Sequence, residues 1–99
     1  MALDMIVLSY SDEHVFHIKD GLHSDIFESG SYDWRKTIFL KKARDYYRDC
    51  FFYADEAKVF LKELYDACME IGVDVDNELK GIKMLLGRSD IKELKLLAD

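Results

Sequence analysis

The stretch from Asp33 to Gly72 constrains this chain most. An apolar position recurs in it at steps of three and four: Leu40, Ala43, Tyr47, Cys50, Ala54, Ala57, Leu61, Leu64, Cys68 and Ile71. Such spacing keeps side chains on one side of an α-helix, so the expectation is a long helical segment against which the rest packs. An unbroken helix over 33–71 would be about 57 Å long at about 1.5 Å per residue, whereas a domain of about 100 residues has a radius of gyration near 13 Å. A bend or loop is therefore expected at Cys50–Asp55, with Asp55 capping the second half. The alternative is one continuous helix in a dimeric coiled coil, since the heptad phase survives the proposed break.

Ahead of this segment, Met5–Tyr10 and His14–Lys19 are rich in β-branched and aromatic residues and read as a hairpin joined by Ser11-Asp12-Glu13. Asp20-Gly21 tolerates the positive φ angles of a type I′ turn, which makes His23–Glu28 a third strand. With tight turns, Ile6, Leu8 and Tyr10 share a face with Phe16, Ile18 and Phe27 and meet the helices, leaving Met5, Val7, Val15, Leu22 and Ile26 on the other face. A short helix through Leu22, Ile26 and Phe27 is the rival reading.

Past the long segment, Gly72 supplies a left-handed stop. Asp74 or Asp76 then caps a helix over 77–86 bearing Leu79, Ile82, Leu85 and Leu86, and Gly87 ends it. Ser89 opens a last amphipathic helix with Ile91, Leu94 and Leu97. The expected class is α+β: a small three-stranded antiparallel meander followed by about four helices packed on one face, in a single domain over 1–99 divided into a meander (1–30) and a helical part (31–99).

Thirteen aromatic residues in 99 are ample for one core. The two cysteines, Cys50 and Cys68, both fall on the apolar stripe, where thiols act as small hydrophobes, and eighteen residues of one helix would hold them about 27 Å apart. No basic residue precedes Lys19, and the longest uncharged run, Met5–Ser11, is seven residues. A cytoplasmic protein without export signal or membrane span is expected.

The net charge of −6 is unevenly placed. Residues 1–34 carry −6, residues 35–48 carry +5, residues 49–79 carry −7 and the tail from Lys80 carries +2. A basic stretch between acidic ones serves internal neutralisation or an acidic partner.

Chemistry is sparsely signalled. His14, His17 and His23 lie within ten residues, but 14 and 17 fall on opposite faces of a strand, so no metal site is expected. His23 and Asp25 share a face as a weak acid/base pair. Asp74-Val75-Asp76-Asn77-Glu78 lacks the central Gly and spaced Glu of a calcium loop and reads as helix capping. There is no phosphate loop, nucleophile elbow or nucleophile beside a base, so neither catalysis nor a cofactor is expected. The remaining constellation is the start of the long segment. On a helical wheel, Phe39, Ala43, Tyr46, Tyr47 and Cys50 face inward, while Trp34, Lys41, Arg44, Asp45 and Arg48 lie on the far side with Ile38. A Trp among Arg and Lys has the composition of an interface hot spot; the plainer reading folds Trp34 back onto the sheet.

In size, segregated charge and lack of a catalytic signature the chain resembles the general type of small intracellular binding proteins, such as toxin-neutralising immunity proteins, phage inhibitors and adaptor subunits. The expected function is non-enzymatic protein binding through Trp34, Lys41, Arg44, Asp45 and Arg48, with the acidic segments steering toward a basic partner surface such as that of a nuclease. The alternative is nucleic-acid binding by the basic stretch 35–48, with Trp34 or Tyr46 stacking on a base; the acidic flanks oppose it. An apolar sheet face would also favour a homodimer.

Overall fold

The length of one loop fixes which way every side chain of the first hairpin points. In the computed structural model, which describes residues 2–30, 32–44, 49–72 and 76–98, strands β1 (Ala2–Ser9) and β2 (Glu13–Lys19) are closed around Tyr10-Ser11, the Ser9 amide donating to the Asp12 carbonyl at 2.9 Å. Met5 lies opposite Phe16, Ile6 opposite Val15 and Val7 opposite His14. A three-residue loop at Ser11–Glu13 would have matched even positions with even ones. The two-residue loop matches odd with even, and a one-residue slip moves every side chain to the other face. Met5 and Val7 are consequently fully buried with Phe16 and Ile18 beneath the helices, and Ile6, Leu8 and Val15 lie on the open side.

β2 runs directly into α1 (Asp20–Phe27). Asp20-Gly21 is thus a helix start, not a hairpin turn, and the expected third strand over 23–28 is this helix, with His23, Ile26 and Phe27 buried at steps of three and one. Two short 3-10 turns follow, Trp34–Lys36 and Leu40–Ala43, and then strand β3 (Cys50–Tyr53). The long helix of residues 33–72 is therefore confined to α2 (Asp55–Ile71). Ala54, not Asp55, is its N-cap residue, and Gly72 ends it at φ 72°, its amide reaching the carbonyls of Cys68 and Met69. After α3 (Asp76–Leu86) comes β4 (Ile91–Ala98) in place of the expected last helix.

The fold is α+β, but the three-stranded meander with about four helices is overturned. Among the described residues there are four strands in one antiparallel sheet, ordered β2-β1-β4-β3, and three α-helices. Two of the strands, β3 and β4, come from the part expected to be helical. Inner-face residues Met5, Val7, Ile18, Phe52, Leu94 and Leu96 form one core with Ile26 of α1, Ala57, Phe60, Leu61, Leu64 and Cys68 of α2, and Ile82 and Leu85 of α3. Phe52 stacks on Phe60 at 4.9 Å and meets Phe39 edge-on at 5.6 Å. The Cα radius of gyration is 12.3 Å, and α2, the longest described helix at 17 residues, is about 26 Å long at about 1.5 Å per residue.

Candidate functional site

Helices cover one side of the sheet, and cross-strand register defines what the other side displays. One row reads Val15, Ile6, Lys95, Phe51; the next reads Glu13, Leu8, Glu93, Tyr53; a third holds His17, Asp4 and Leu97. Phe51 is 51% exposed, Tyr53 60% and Val15 50%. Lone apolar residues on a surface are ordinary, but two aromatics and an aliphatic contiguous with half-buried Ile6, Leu8 and Leu97 form a patch. Its charges are mostly acidic. Asp4 meets His17 at 2.7 Å and Glu93 meets Lys95 at 3.9 Å, while Glu13 stands exposed at the margin. This is not the open face expected from the meander: only Val15 of the five residues named for that face lies here. Met5, Val7 and Ile26 are core, and Leu22 is half-buried on α1.

The second surface is the segment carrying the residues singled out from sequence. Trp34 is half-buried. Its indole N–H donates to the carbonyl of Phe27 at 3.0 Å, the last residue of α1, so it satisfies a carbonyl the helix leaves without an internal partner. Its ring meets Phe27 edge-on at 5.5 Å, and the guanidiniums of Arg35 and Arg44 lie 4.8 and 5.4 Å from its centroid. Trp34 thus folds back onto α1, not onto the sheet. Lys41 is exposed, its amide bonded to Thr37 Oγ1. The structure brings Trp34 and Arg44 together; Asp45 and Arg48, like Tyr46 and Tyr47, lie outside the described residues. Lys42 sits 5.3 Å from the Phe39 ring centroid. Among the described residues only Lys36 of this basic segment pairs with a carboxylate, Asp33 at 3.6 Å. Glu63 of α2 holds the segment in place, accepting the amides of Ile38, Phe39 and Leu40 at 2.6, 2.9 and 3.2 Å. Three successive N–H groups aimed at one carboxylate form an anion nest, here filled from within the chain.

The third cluster was not legible in sequence, because its members are up to 81 residues apart. Arg88 grips Asp90 through Nε at 2.8 Å and Nη2 at 2.6 Å. It reaches Asp12 at 3.1 Å, and Ser9 Oγ and His14 Nε2 at 3.2 Å each. The Ser9 hydroxyl donates to Asp12. The guanidinium, with help from that hydroxyl, holds the Asp12 carboxyl down at about 2; it lowers Asp90 as well, and the two carboxylates raise Arg88. A serine, an aspartate and a histidine here meet around an arginine, and the serine proton goes to the carboxylate, not to the imidazole. No nucleophile is activated by that arrangement. It ties the hairpin tip to the start of β4.

The three histidines go to separate places. His14 joins Arg88, His17 pairs with Asp4, and His23 is buried with Nε2–H donating to the Ala43 carbonyl at 2.8 Å. Among the described residues no group of three His, Cys, Asp or Glu could hold a metal ion. Cys68 is buried on α2; Cys50, on β3 and half-buried, points its thiol at the Lys42 carbonyl, so the two are not on one helix. No helix among the described residues is long and apolar enough to cross a membrane. In comparisons with protein-family models, curated proteins and solved structures, nothing matches the chain.

Proposed function

We propose that the chain is a non-enzymatic protein-binding module of a reducing, cytoplasmic setting, and that its contact surface is the open face of the sheet. The observation that carries this reading is the placement of Phe51 and Tyr53, both more than half exposed, beside Val15, Ile6, Leu8 and Leu97 on the side that no described helix covers. Aromatic side chains supply large rigid contact area and dominate interface energetics. Asp4, Glu13 and Glu93 on the same face, and the net charge of −6, favour a partner whose matching surface is apolar and rimmed by Lys or Arg. This keeps the inhibitor, immunity-type or adaptor reading of the sequence and moves its centre from Trp34 to the sheet.

Nucleic-acid binding by the basic segment has less support. Trp34 already has Phe27, Arg35 and Arg44 around its ring, which leaves it poorly placed to receive a base. The test is affinity capture from the native cell with three baits: the natural chain, the double variant Phe51→Ser, Tyr53→Ser, and Arg44→Glu. The proposal expects one protein retained by the first and third and lost by the second. Retention by the double variant and loss by Arg44→Glu would transfer the site to the basic segment.

A further inference from the structure

The bond from the Ala54 amide to the Lys92 carbonyl, 2.9 Å long, fixes which way the backbone of β3 faces. In an antiparallel ladder, residue pairs that exchange hydrogen bonds alternate with pairs that do not. With Ala54 bonded opposite Lys92, the pairs Phe52–Leu94 and Cys50–Leu96 are bonded, and Phe51–Lys95 and Tyr53–Glu93 are not. The N–H and C=O groups of Phe51 and Tyr53 therefore point away from β4. β3 is the last strand in the sheet order, so they point at an open edge. Among the described residues nothing bonds to them. The same two residues carry the exposed rings of the open face.

The opposite edge differs. The same alternation carried across β4 and β1 turns the backbones of Glu13, Val15 and His17 outward from β2. Two of those three side chains are ionisable, the usual device that keeps an exposed edge from pairing. β3 has no charge at either of its outward positions.

We infer that β3 is a docking edge, where an extended segment of a partner protein adds as a fifth strand, its main chain bonded to Phe51 and Tyr53 and its apolar side chains lying on their rings. This rests on the protein-binding reading above and supplies its mode. Charge decides against a second copy as occupant. Two β3 strands pairing about Phe52 would match Phe51 of each copy with Tyr53 of the other, which satisfies the backbone. It would also join two open faces that each carry Asp4, Glu13 and Glu93, on chains of net charge −6 each. Those carboxylates, with exposed Asp55 and Glu56 just past the end of β3, select a strand whose ends are basic. The complementary pattern is Lys or Arg, spacer, apolar, spacer, apolar, spacer, Lys or Arg, a segment about 20 Å long at about 3.3 Å per residue.

The probes are two end-blocked heptapeptides, Lys-Thr-Ile-Thr-Ile-Thr-Lys and Glu-Thr-Ile-Thr-Ile-Thr-Glu, titrated into the full chain while NMR follows amide exchange. The Lys-ended peptide should slow exchange at Phe51 and Tyr53 about tenfold or more, leave Phe52 unchanged because its amide already bonds β4, and bind about tenfold tighter than the Glu-ended one. Phe51→Pro removes an outward N–H without touching a β3–β4 bond and should abolish this response, while Phe51→Val, retaining the N–H, should keep it. Unchanged exchange at 51 and 53 under millimolar peptide, equal affinity for the two peptides, or equal binding by the Pro and Val variants would each overturn the inference. So would a dimer with those two amides already slowed before any peptide is added. If the cellular partner is lost from the Phe51→Ser, Tyr53→Ser bait yet leaves both amides fast in its complex, the open face binds and the edge does not. If that bait keeps its partner, the face reading itself has failed.

Discussion

Leu64 and Lys62 lie two residues apart on α2 and face opposite worlds: the first is buried among Phe60, Leu61 and Cys68, the second is exposed and paired with Asp66 at 3.0 Å. Truncating a buried Leu to Ala costs about 2–5 kcal/mol, against about 0.5 kcal/mol or less for a surface change. Thermal melts should therefore show Leu64→Ala falling well below the natural chain and Lys62→Ala close to it. This inside and outside were readable from spacing alone, because residues 55–71 form a true helix whose period is the one the sequence repeats. Ala54 is a different kind of residue. Its φ of 44° and ψ of −112° lie near the first central position of a type II′ turn, which suits glycine. A side chain at positive φ costs about 1–2 kcal/mol, and glycine's added chain entropy returns about 0.5–1 kcal/mol of that. Ala54→Gly should thus raise stability by roughly 0.5–1 kcal/mol, measurable by urea unfolding with unchanged m-value. Nothing in the sequence marked Ala54, since the strain comes from turning an edge strand directly into a helix.

Among the elements, one local spacing fits both a helix and a strand. Ile91, Leu94 and Leu97 step by three, as on a helix, and Lys, Glu and Leu favour helices. Yet Leu94 and Leu96 alternate with Lys95 and Leu97 on a strand held between β1 and β3. The register slips between Leu8 and Ser9, which puts Ile91 inward three residues before Leu94. A bulge had lengthened a two-residue period into a helical-looking step. Leu40 and Ala43 likewise satisfy the three-residue turn of a 3-10 helix, whose steps match the stripe without continuing into it. In α1 the buried slot between Leu22 and Ile26 is filled by His23, whose bond to the Ala43 carbonyl no pattern of apolar residues announces. The anchoring of the irregular segment by Glu63 gives an element-scale test. Hydrogen bonds to charged groups contribute about 1.5–3 kcal/mol, so Glu63→Ala, which leaves three amides unfilled, should lower stability by about 2 kcal/mol. Amide exchange at Ile38, Phe39 and Leu40 should quicken while that in α2 changes little beyond the global loss.

For the whole molecule, the sheet ends and the sheet face do different work. Arg88 joins the hairpin tip to β4 through Asp12 and Asp90, whose carboxyls are held below their ordinary value of 3.8, Asp12 at about 2. A group with a lowered folded-state value stabilises above its ordinary value and ceases to do so as pH falls through the lowered one. The difference in melting temperature between the natural chain and Arg88→Ala should therefore be full near neutral pH and shrink as pH falls from about 4 toward about 2. Should the gap instead widen on acidification, the Arg88 network does not carry this linkage. The open face carries no such burden. Phe51→Ser, Tyr53→Ser should cost less stability than Leu64→Ala, because both rings are more than half exposed. The open face read from tight turns in a three-stranded meander is a different one, since the two-residue loop reverses that register and only Val15 of its five residues is on the face observed. Phe51 and Tyr53 reach the observed face only through a strand inside what spacing presented as a helix. The most direct measurement of the central claim is hydroxyl-radical footprinting of the chain alone and in its native-cell complex, read residue by residue at the aromatic side chains. In the complex Phe51 and Tyr53 should lose reactivity while Trp34 and Tyr10 keep theirs. Protection at Trp34 with Phe51 and Tyr53 still fully reactive would contradict the claim.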